Sequence, residues 1–313
     1  MRIAVLGAGA VGGYFGARLA AAGEDVAFIA RGAHLAALRR DGLTVQSANG
    51  DVHVRPVTAT DDPAQVGPVD LVLFAVKLWD TEASAAAARP MMGPETAIAT
   101  FQNGVESIDT LGRVLGPQRV IGGSAFIAAV VAEPGVVRHT GTLARLVFGE
   151  PDGRRSGRVA ALLGACRRAG IDGEASDRIV PAIWDKFIFL AALSGVTTLT
   201  RLPIGPIRGN PSSRALFVDA MAEVAALGRA LGVAVRADIV DRHAALLDTL
   251  PADMQASMLH DLDRGRRLEL PWLSGAVVRL GDHHGVPTPT HRLIAAALAP
   301  FQDGAPTPPA PSA

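Results

Sequence analysis

A glycine-rich turn near the start of the chain constrains the fold more than any other feature. Residues 7–12 read G-A-G-A-V-G, follow a predicted buried strand at 2–7, and open a helix predicted at 10–22. In the pattern G-x-G-x-x-G, the first glycine permits a tight turn, the second lets a pyrophosphate approach, and the third allows close helix–strand packing. The helix N-terminus favours the anion. A glycine-rich helix packing site, the alternative, does not explain the preceding strand. The turn therefore predicts a dinucleotide site at Gly7, Ala8, Gly9, Ala10, Val11 and Gly12.

The rest of the first half alternates apolar strands with helices. Near-continuous apolar strands are typical of a parallel sheet that is covered on both faces. Strands are predicted at 25–30, 70–76 and 96–101, and helices at 33–40, 80–89 and 106–115. The dipeptide Asn49-Gly50 predicts a hairpin. Three β-rich stretches follow, at 120–131, 135–140 and 143–149, and then a helix within 154–170.

The second half has helical periodicity from about residue 177. Helices are predicted at 177–195, 211–231, 236–249, 252–264, 272–284 and 290–301, with a Pro- and Gly-rich loop at 200–213. The sequence therefore predicts an α/β Rossmann-type doubly wound parallel sheet domain (1–175), followed by an all-α C-terminal domain (176–303). The Pro/Ala tail at 304–313 is predicted to be disordered.

Composition excludes several classes of protein. The 313 residues include 30 basic and 30 acidic ones and no long basic run, so neither nucleic acid nor an anionic membrane is an expected partner. The single cysteine, Cys166, excludes a disulfide within the chain and a cysteine metal cluster, and we expect it to be a buried structural thiol. His283 and His284 are adjacent and cannot chelate as an i, i+4 pair, so no metal site is predicted.

The chain is expected to be cytoplasmic. Its first residues have some features of a signal peptide, but five glycines by residue 16, and Arg18 at the expected cleavage region, argue against one. The longest apolar runs, such as 125–132, are too short to cross a bilayer.

The end of the second strand indicates which dinucleotide is bound. An NAD site usually carries an acid there, which accepts a hydrogen bond from the ribose 2′-hydroxyl. Here the strand ends F-I-A-R-G, and Arg31 stands nineteen residues after Gly12. Because a guanidinium can bind a 2′-phosphate through two hydrogen bonds, the sequence predicts NADPH/NADP+ as the cofactor. The alternative is that Arg31 is a solvated surface residue.

Two further polar positions follow strands that should be neighbours. Lys77 follows the strand at 70–76, and Gln102-Asn103-Gly104 follows the strand at 96–101. Open α/β sheets bind ligands at the carboxyl ends of their strands, so these positions predict a shared crevice.

Lys186 lies in the apolar stretch W-D-K-F-I-F-L-A-A-L-S-G. On a helix, its neighbours one turn back and one and two turns ahead include no acid: Ala182, Ile183, Phe189, Leu190, Leu193 and Ser194. An apolar surround disfavours an ammonium and lowers its pKa toward neutral pH. The alternative is a lysine that extends its head group to the surface.

These motifs together resemble the ketopantoate reductase family. The resemblance rests on G-A-G-A-V-G-G-Y-F-G, A-V-K-L-W-D, F-Q-N-G-V-E-S, W-D-K-F and S-M-L-H-D-L-D-R-G-R-R-L-E-L, in order along essentially the whole chain. It implies a Rossmann domain and a helical domain with the active site where they meet. It also implies NADPH-dependent reduction of a 2-oxo acid to a 2-hydroxy acid on the path to pantothenate, and it suggests a homodimer.

The resemblance assigns a role to each site residue. Lys186 takes the position of the family's proton donor, Ser257 that of its substrate-binding serine, and Glu269 that of a glutamate on the cofactor side. Lys77 and Asn103 match cofactor-contacting residues, with Asn103 also expected near the substrate, and Arg31 matches the 2′-phosphate arginine. Alternatively, Ser257 is an ordinary helix hydroxyl and Glu269 a helix N-terminal residue.

This chain departs from the family pattern at three positions. Leu190, Ser194 and Ile204 stand where the family has asparagines that bind the substrate. A site loses discrimination for a polar substrate when such partners go, so we expect a less polar pocket that includes Leu190 and Ser194. A reductase of another, less polar 2-oxo acid or carbonyl compound, and a non-catalytic NADP(H) sensor, are the alternatives. A sensor that does not catalyse a reaction would not need Lys186 as a buried proton donor.

Overall fold

The computed structural model describes residues 1–306. The chain divides into two compact units, Met1–Ala182 and a second unit that begins at Ile183. The predicted disorder of the tail lies, from residue 307 onward, outside the described residues. The boundary between the units falls within one helix, whereas the sequence placed it after residue 175.

Ten strands and five helices form the first unit in the following order: β1 (Arg2–Leu6), α1 (Ala10–Ala21), β2 (Asp25–Ile29), α2 (Gly32–Asp41), β3 (Leu43–Gln46), β4 (Val52–Val54), β5 (Thr58–Thr60), β6 (Val69–Phe74), α3 (Thr81–Ala87), β7 (Met92–Thr100), α4 (Ser107–Leu115), β8 (Val120–Glu133), β9 (Val136–Gly149), α5 (Gly157–Arg168) and β10 (Asp172–Ala175). The predicted helices of this unit are all present, and their ends differ from the predicted ones by at most three residues.

The strands form one mostly parallel sheet in the order β4-β3-β9-β8-β7-β6-β1-β2-β5, with β10 beside β9. The run from β8 to β5 is parallel throughout, while β3 with β4 and β8 with β9 are antiparallel. The predicted Rossmann-type sheet is thereby confirmed, with mixed pairing at one side.

Both faces of the sheet are covered, as the sequence of β1 requires. Successive side chains of a strand point to opposite faces. Ile3 and Val5 enter one buried apolar cluster, and Ala4 and Leu6 enter another. All four are buried, which accounts for the unbroken apolar run in the sequence.

Three details of the first unit differ from the prediction. The stretches 135–140 and 143–149 are one strand, β9, because its pairing with β8 continues across a register shift after residue 140. The short strands β5 and β10 were missed, since T-A-T and D-G-E-A carry little apolar pattern.

Cys166 is buried as predicted, and burial raises the pKa of its thiol to about 12.

The second unit is helical throughout its described part, as predicted. The helices are α6 (Ile179–Thr200), which begins in the first unit, α7 (Ile204–Gly209), α8 (Pro211–Ala230), α9 (Ile239–Thr249), α10 (Ser257–Asp263), α11 (Ser274–His284) and α12 (Pro289–Leu298). The sequence missed α7, because its Pro and Gly content is typical of a loop.

Among residues 1–306, α6 alone is long and apolar enough to cross a membrane, and 61% of its apolar window is buried. The sequence did not predict a helix of this length and hydropathy, because Asp185 and Lys186 interrupt its apolar run. A helix that is apolar all round is typical of a protein core.

Candidate functional site

The glycine turn has the backbone that the sequence predicts. Gly7 has a positive φ of 95°, and a Cβ there would lie 2.7 Å from the backbone carbon of Ala75. A Cβ on Gly12 would lie 2.2 Å from the Gly7 carbonyl oxygen. No atom lies within 4 Å of the position that a Cβ on Gly9 would take. Gly7 and Gly12 therefore serve close backbone packing, whereas Gly9 faces open space.

That open space fits a dinucleotide phosphate. Gly9 is the N-cap of α1, where helix N–H groups have no partner in their own helix. The first turn of α1 carries no acidic residue, so its electrostatic field favours an anion. Ala8 is buried behind the turn, and Ala10 and Val11 are partly buried at the start of the helix.

Backbone hydrogen bonds tie the turn to both neighbouring strands. Gly7 and Ala8 donate to the Ile29 carbonyl at 3.3 and 3.1 Å, and Ala75 donates to the Leu6 carbonyl at 2.9 Å. The carboxyl ends of β1, β2 and β6 thus form one continuous edge.

Arg31 stands at this edge, two residues after β2, as the N-cap of α2. Its side chain is 73% exposed, and its Nη1 lies 3.8 Å from Oδ2 of Asp80, which follows β6. An ion pair with this exposure and this distance contributes little to stability, so the Arg31 guanidinium is able to bind another anion.

Lys77 and Asn103 follow the next two strands of the same edge. Lys77 is exposed, and its Nζ lies 5.5 Å from the centre of the Trp79 ring. Asn103 is partly buried, three residues after β7. Before it, Gln102 donates through Nε2 to the Val76 carbonyl and to Thr81 Oγ1, both at 2.9 Å. Gln102, one of the positions predicted at the crevice, thereby holds the loop that carries Lys77.

In the second unit, Lys186 and Glu269 lie close enough for their charges to interact. Lys186 lies on α6 and is partly buried, and Glu269 is a buried acid just before α11. Burial lowers the pKa of the Lys186 ammonium to about 8, because burial disfavours the charged form, and the charge of Glu269 partly offsets this. Although no acid lies one turn back, or one or two turns ahead, on the same face of α6 as Lys186, the fold supplies one from a distant segment.

The other predicted substrate residues have contrasting environments. Leu190 and Ser194 follow Lys186 along one face of α6, and Ser194 is buried while Leu190 is partly buried. Ser257 is exposed as the first residue of α10. Ile204 has no exposed surface, and its N–H donates to the Met254 carbonyl at 3.0 Å. Ile204 is therefore a core residue of the second unit.

Two histidines near these residues had no signal in the sequence. His34 on α2 contacts the Ala8 carbonyl through Nε2 at 2.8 Å. His243 on α9 lies with Nε2 3.0 Å from both the carbonyl oxygen and Oδ1 of Asp185, next to Lys186. Each contact joins residues far apart in the chain, so a local pattern could not reveal it.

Models of one protein family match both units of the chain. The model of the family "Ketopantoate reductase PanE/ApbA" matches residues 3–153, and that of its C-terminal domain matches residues 178–302. This chain belongs to the ketopantoate reductase family.

Individual ketopantoate reductases are similar over almost their whole length. A 2-dehydropantoate 2-reductase of Mesorhizobium japonicum is 34% identical, with 93% of this chain and 94% of the relative covered. A family member from Ralstonia eutropha of known structure is 36% identical, with a TM-score of 0.88 and coverage of 96% and 98%. The 2-dehydropantoate 2-reductase structure from Geobacter metallireducens is 34% identical, with a TM-score of 0.89 and coverage of 96% and 99%.

Membership of this family makes the chain an oxidoreductase that acts on a CH–OH donor and uses a nicotinamide dinucleotide. The glycine turn of the first unit is the candidate site for its phosphates.

Proposed function

We propose that this ketopantoate reductase family member reduces a 2-oxo acid to a 2-hydroxy acid with NADPH, and that 2-dehydropantoate is the first substrate to test. Relatives over nearly the full chain carry the name 2-dehydropantoate 2-reductase. The observation that carries the proposal is Lys186, whose pKa of about 8 suits a proton donor at neutral pH.

Lys186 acts on the oxygen of the ketone. The bound dinucleotide would supply a hydride to the ketone carbon, so negative charge would build on that oxygen. The Lys186 ammonium stabilises the charge and then donates a proton from Nζ, which leaves a hydroxyl group and a neutral amine. A proton from solvent restores the ammonium. The charge of Glu269 keeps most of Lys186 protonated at neutral pH.

Arg31 supports NADPH as the cofactor. It stands where an NAD-specific site usually has an acid, and its guanidinium is exposed and only distantly paired with Asp80. A 2′-phosphate there would form charge-assisted hydrogen bonds with Arg31. Lys77, exposed after β6 on the same edge of the sheet, adds positive charge for the cofactor phosphates.

A second candidate is reduction of a less polar 2-oxo acid. Leu190 is apolar and Ser194 is shorter than asparagine, so this face of α6 offers fewer hydrogen bonds than the family pattern. Asn103 and Ser257 remain to bind polar groups of the substrate. A pocket with fewer hydrogen-bond partners discriminates less strongly between a 2-oxo acid with an additional hydroxyl group and one without it.

The decisive experiment follows NADPH oxidation by its absorbance with a panel of 2-oxo acids, in wild type and Lys186→Ala. Turnover of 2-dehydropantoate that is lost in the variant supports the first assignment. Preference for a 2-oxo acid that lacks the hydroxyl group of 2-dehydropantoate would change the assigned substrate but not the assigned chemistry. Tight NADPH binding without turnover of any panel member contradicts both and indicates a sensor.

A further inference from the structure

His34 bridges the glycine turn and a distant hairpin. Its Nδ1 accepts a hydrogen bond from the Gly135 N–H at 3.0 Å, in the turn between β8 and β9. Its Nε2 lies 2.8 Å from the Ala8 carbonyl oxygen, within the dinucleotide turn. Because a backbone N–H can only donate, Nδ1 must carry a lone pair, and the ring proton is on Nε2. His34 is therefore a neutral ring that accepts from Gly135 and donates to Ala8.

The bond to Ala8 reaches the face of the turn that is open to a ligand. The Ala8 carbonyl and the Gly9 N–H belong to one planar trans peptide, so they point in opposite directions. Holding the carbonyl therefore aims the N–H. Gly9 is the N-cap of α1, and a Cβ there would meet no atom within 4 Å.

We propose that His34 is a positioning residue for the dinucleotide: it holds the Ala8 carbonyl so that the Gly9 N–H points at the cofactor phosphates. This inference rests on the proposed function, because it requires that the turn bind NADPH. Here His34 acts through the peptide and does not itself contact the cofactor.

The arrangement depends on the neutral ring. A proton on Nδ1 would set two donors, Nδ1–H and the Gly135 N–H, against each other. Burial lowers the pKa of His34, and the bond to Ala8 partly offsets this, so the ring is neutral at physiological pH. The glycine turn carries no titratable side chain. Besides His34, the charged or titratable residues at the N-cap of α2, on α2 and on the β8–β9 hairpin are Arg31, Arg39, Arg40, Asp41, Glu133, Arg138, His139 and Arg145.

Two substitutions separate the two bonds of His34. In His34→Asn, the amide oxygen can replace Nδ1 as the acceptor for Gly135, but no donor reaches Ala8. In His34→Gln, the longer amide can replace Nε2 as the donor to Ala8 and leaves Gly135 without its acceptor. His53→Asn is a matched control, since that exposed ring contacts Thr44 on the β3–β4 hairpin.

The test is a fluorescence titration of NADPH into each full-length protein, with thermal melts to verify folding. We expect His34→Asn to raise the dissociation constant about five- to tenfold, which corresponds to one lost hydrogen bond, and His34→Gln to raise it about twofold. The KM for NADPH should rise more than kcat falls. Equal losses in both variants, or no loss in His34→Asn, would overturn the inference.

The pH dependence adds a test that does not require His34→Asn to fold. As pH falls from about 7 to about 5, wild type should lose affinity for NADPH relative to His34→Gln, because only the histidine is protonated. A constant ratio of the two affinities would overturn the inference. A wild type that binds NADPH neither at pH 7 nor at pH 5 would overturn the proposed function instead.

Discussion

The carboxylate of Glu269 opposes the effect of burial on Lys186. Burial in the second unit lowers the pKa of the Lys186 ammonium, and the negative charge of Glu269 raises it again, so that the net value is about 8. These two residues are far apart in the sequence, and the fold of the helical unit brings them together. The balance keeps the amine protonated at neutral pH and able to lose its proton.

Removing the charge of Glu269 should therefore shift the pH dependence of the reaction. In Glu269→Gln, the pKa of Lys186 falls below its wild-type value of about 8, since burial is no longer offset. The rate of ketone reduction should then begin to fall at a lower pH than in wild type. The measurement is kcat/KM for the 2-oxo acid against pH at saturating NADPH.

Glu223→Gln is the control for Glu269→Gln. Glu223 accepts hydrogen bonds from the N–H groups of Thr290 and His291, elsewhere in the helical unit. The Glu223→Gln variant should leave unchanged the pH at which kcat/KM begins to fall. An unchanged break in Glu269→Gln would show that Glu269 does not set the protonation of Lys186.

The buried ammonium should cost stability. The pKa of Lys186 falls from 10.5 in the unfolded chain to about 8 in the fold. Since the unfolded chain holds the proton more tightly, the cost is fully present below about pH 8 and disappears as pH rises toward 10.5. We expect Lys186→Met to raise the free energy of unfolding at pH 7 by about 1–3 kcal/mol while it abolishes activity.

Lys77→Met is the matched control for Lys186→Met, because Lys77 is the only other lysine of the chain and is exposed. It should change the free energy of unfolding by no more than about 0.5 kcal/mol. Denaturant unfolding at pH 7 and pH 10 measures both variants. A Lys186→Met protein that is less stable than wild type at pH 7 contradicts the expected cost.

Arg31 should determine the preference for NADPH over NADH. Arg31→Ala loses the charge-assisted bonds to the 2′-phosphate, so the dissociation constant for NADPH should rise about ten- to hundredfold. NADH has no such phosphate, and its dissociation constant should change about twofold or less. Calorimetric titration with both dinucleotides measures the ratio.

Arg39→Ala provides the comparison for Arg31→Ala. Arg39 is also on α2, is 52% exposed, and lies 3.9 Å from Asp61. The ratio of NADPH to NADH affinity should stay at the wild-type value. If Arg31→Ala weakens both dinucleotides equally, the arginine does not read the 2′-phosphate.

Gly9 and Gly12 should respond differently to the same added methyl group. A Cβ on Gly12 overlaps the Gly7 carbonyl oxygen, so Gly12→Ala should destabilise the first unit by about 1–3 kcal/mol. A Cβ on Gly9 meets no protein atom, so Gly9→Ala should fold normally and raise the dissociation constant for NADPH about tenfold or more. Thermal melts and cofactor titrations measure the two effects. Unchanged NADPH binding in a folded Gly9→Ala protein would place the phosphates elsewhere.

The sequence predicted the central strands of the sheet because those strands are almost continuously apolar. Strands such as β1 and β6 are buried on both faces, so they read as apolar runs, and the glycine turn is a local motif with a local cause. The edge strands β5 and β10 are short and polar, and no such run marks them.

The sequence was less informative about contacts that the site requires. Lys186 was recognised from its apolar surround, but its electrostatic partner Glu269 comes from another segment, and only the fold brings them together. The same holds for His34, whose two hydrogen bonds reach backbone atoms of Ala8 and Gly135. Because any residue can provide a backbone carbonyl or N–H, no side-chain pattern marks such partners.

The most direct test of the account is the pH dependence of 2-oxo acid reduction by NADPH in wild type and Lys186→Ala. If Lys186 is the proton donor, kcat/KM in wild type is constant below about pH 8 and falls about tenfold per pH unit above it. Lys186→Ala should be slower by about 10²–10⁴-fold, without that break. A Lys186→Ala enzyme that keeps the wild-type rate, or the same break near pH 8, would contradict the assignment of Lys186 as the proton donor.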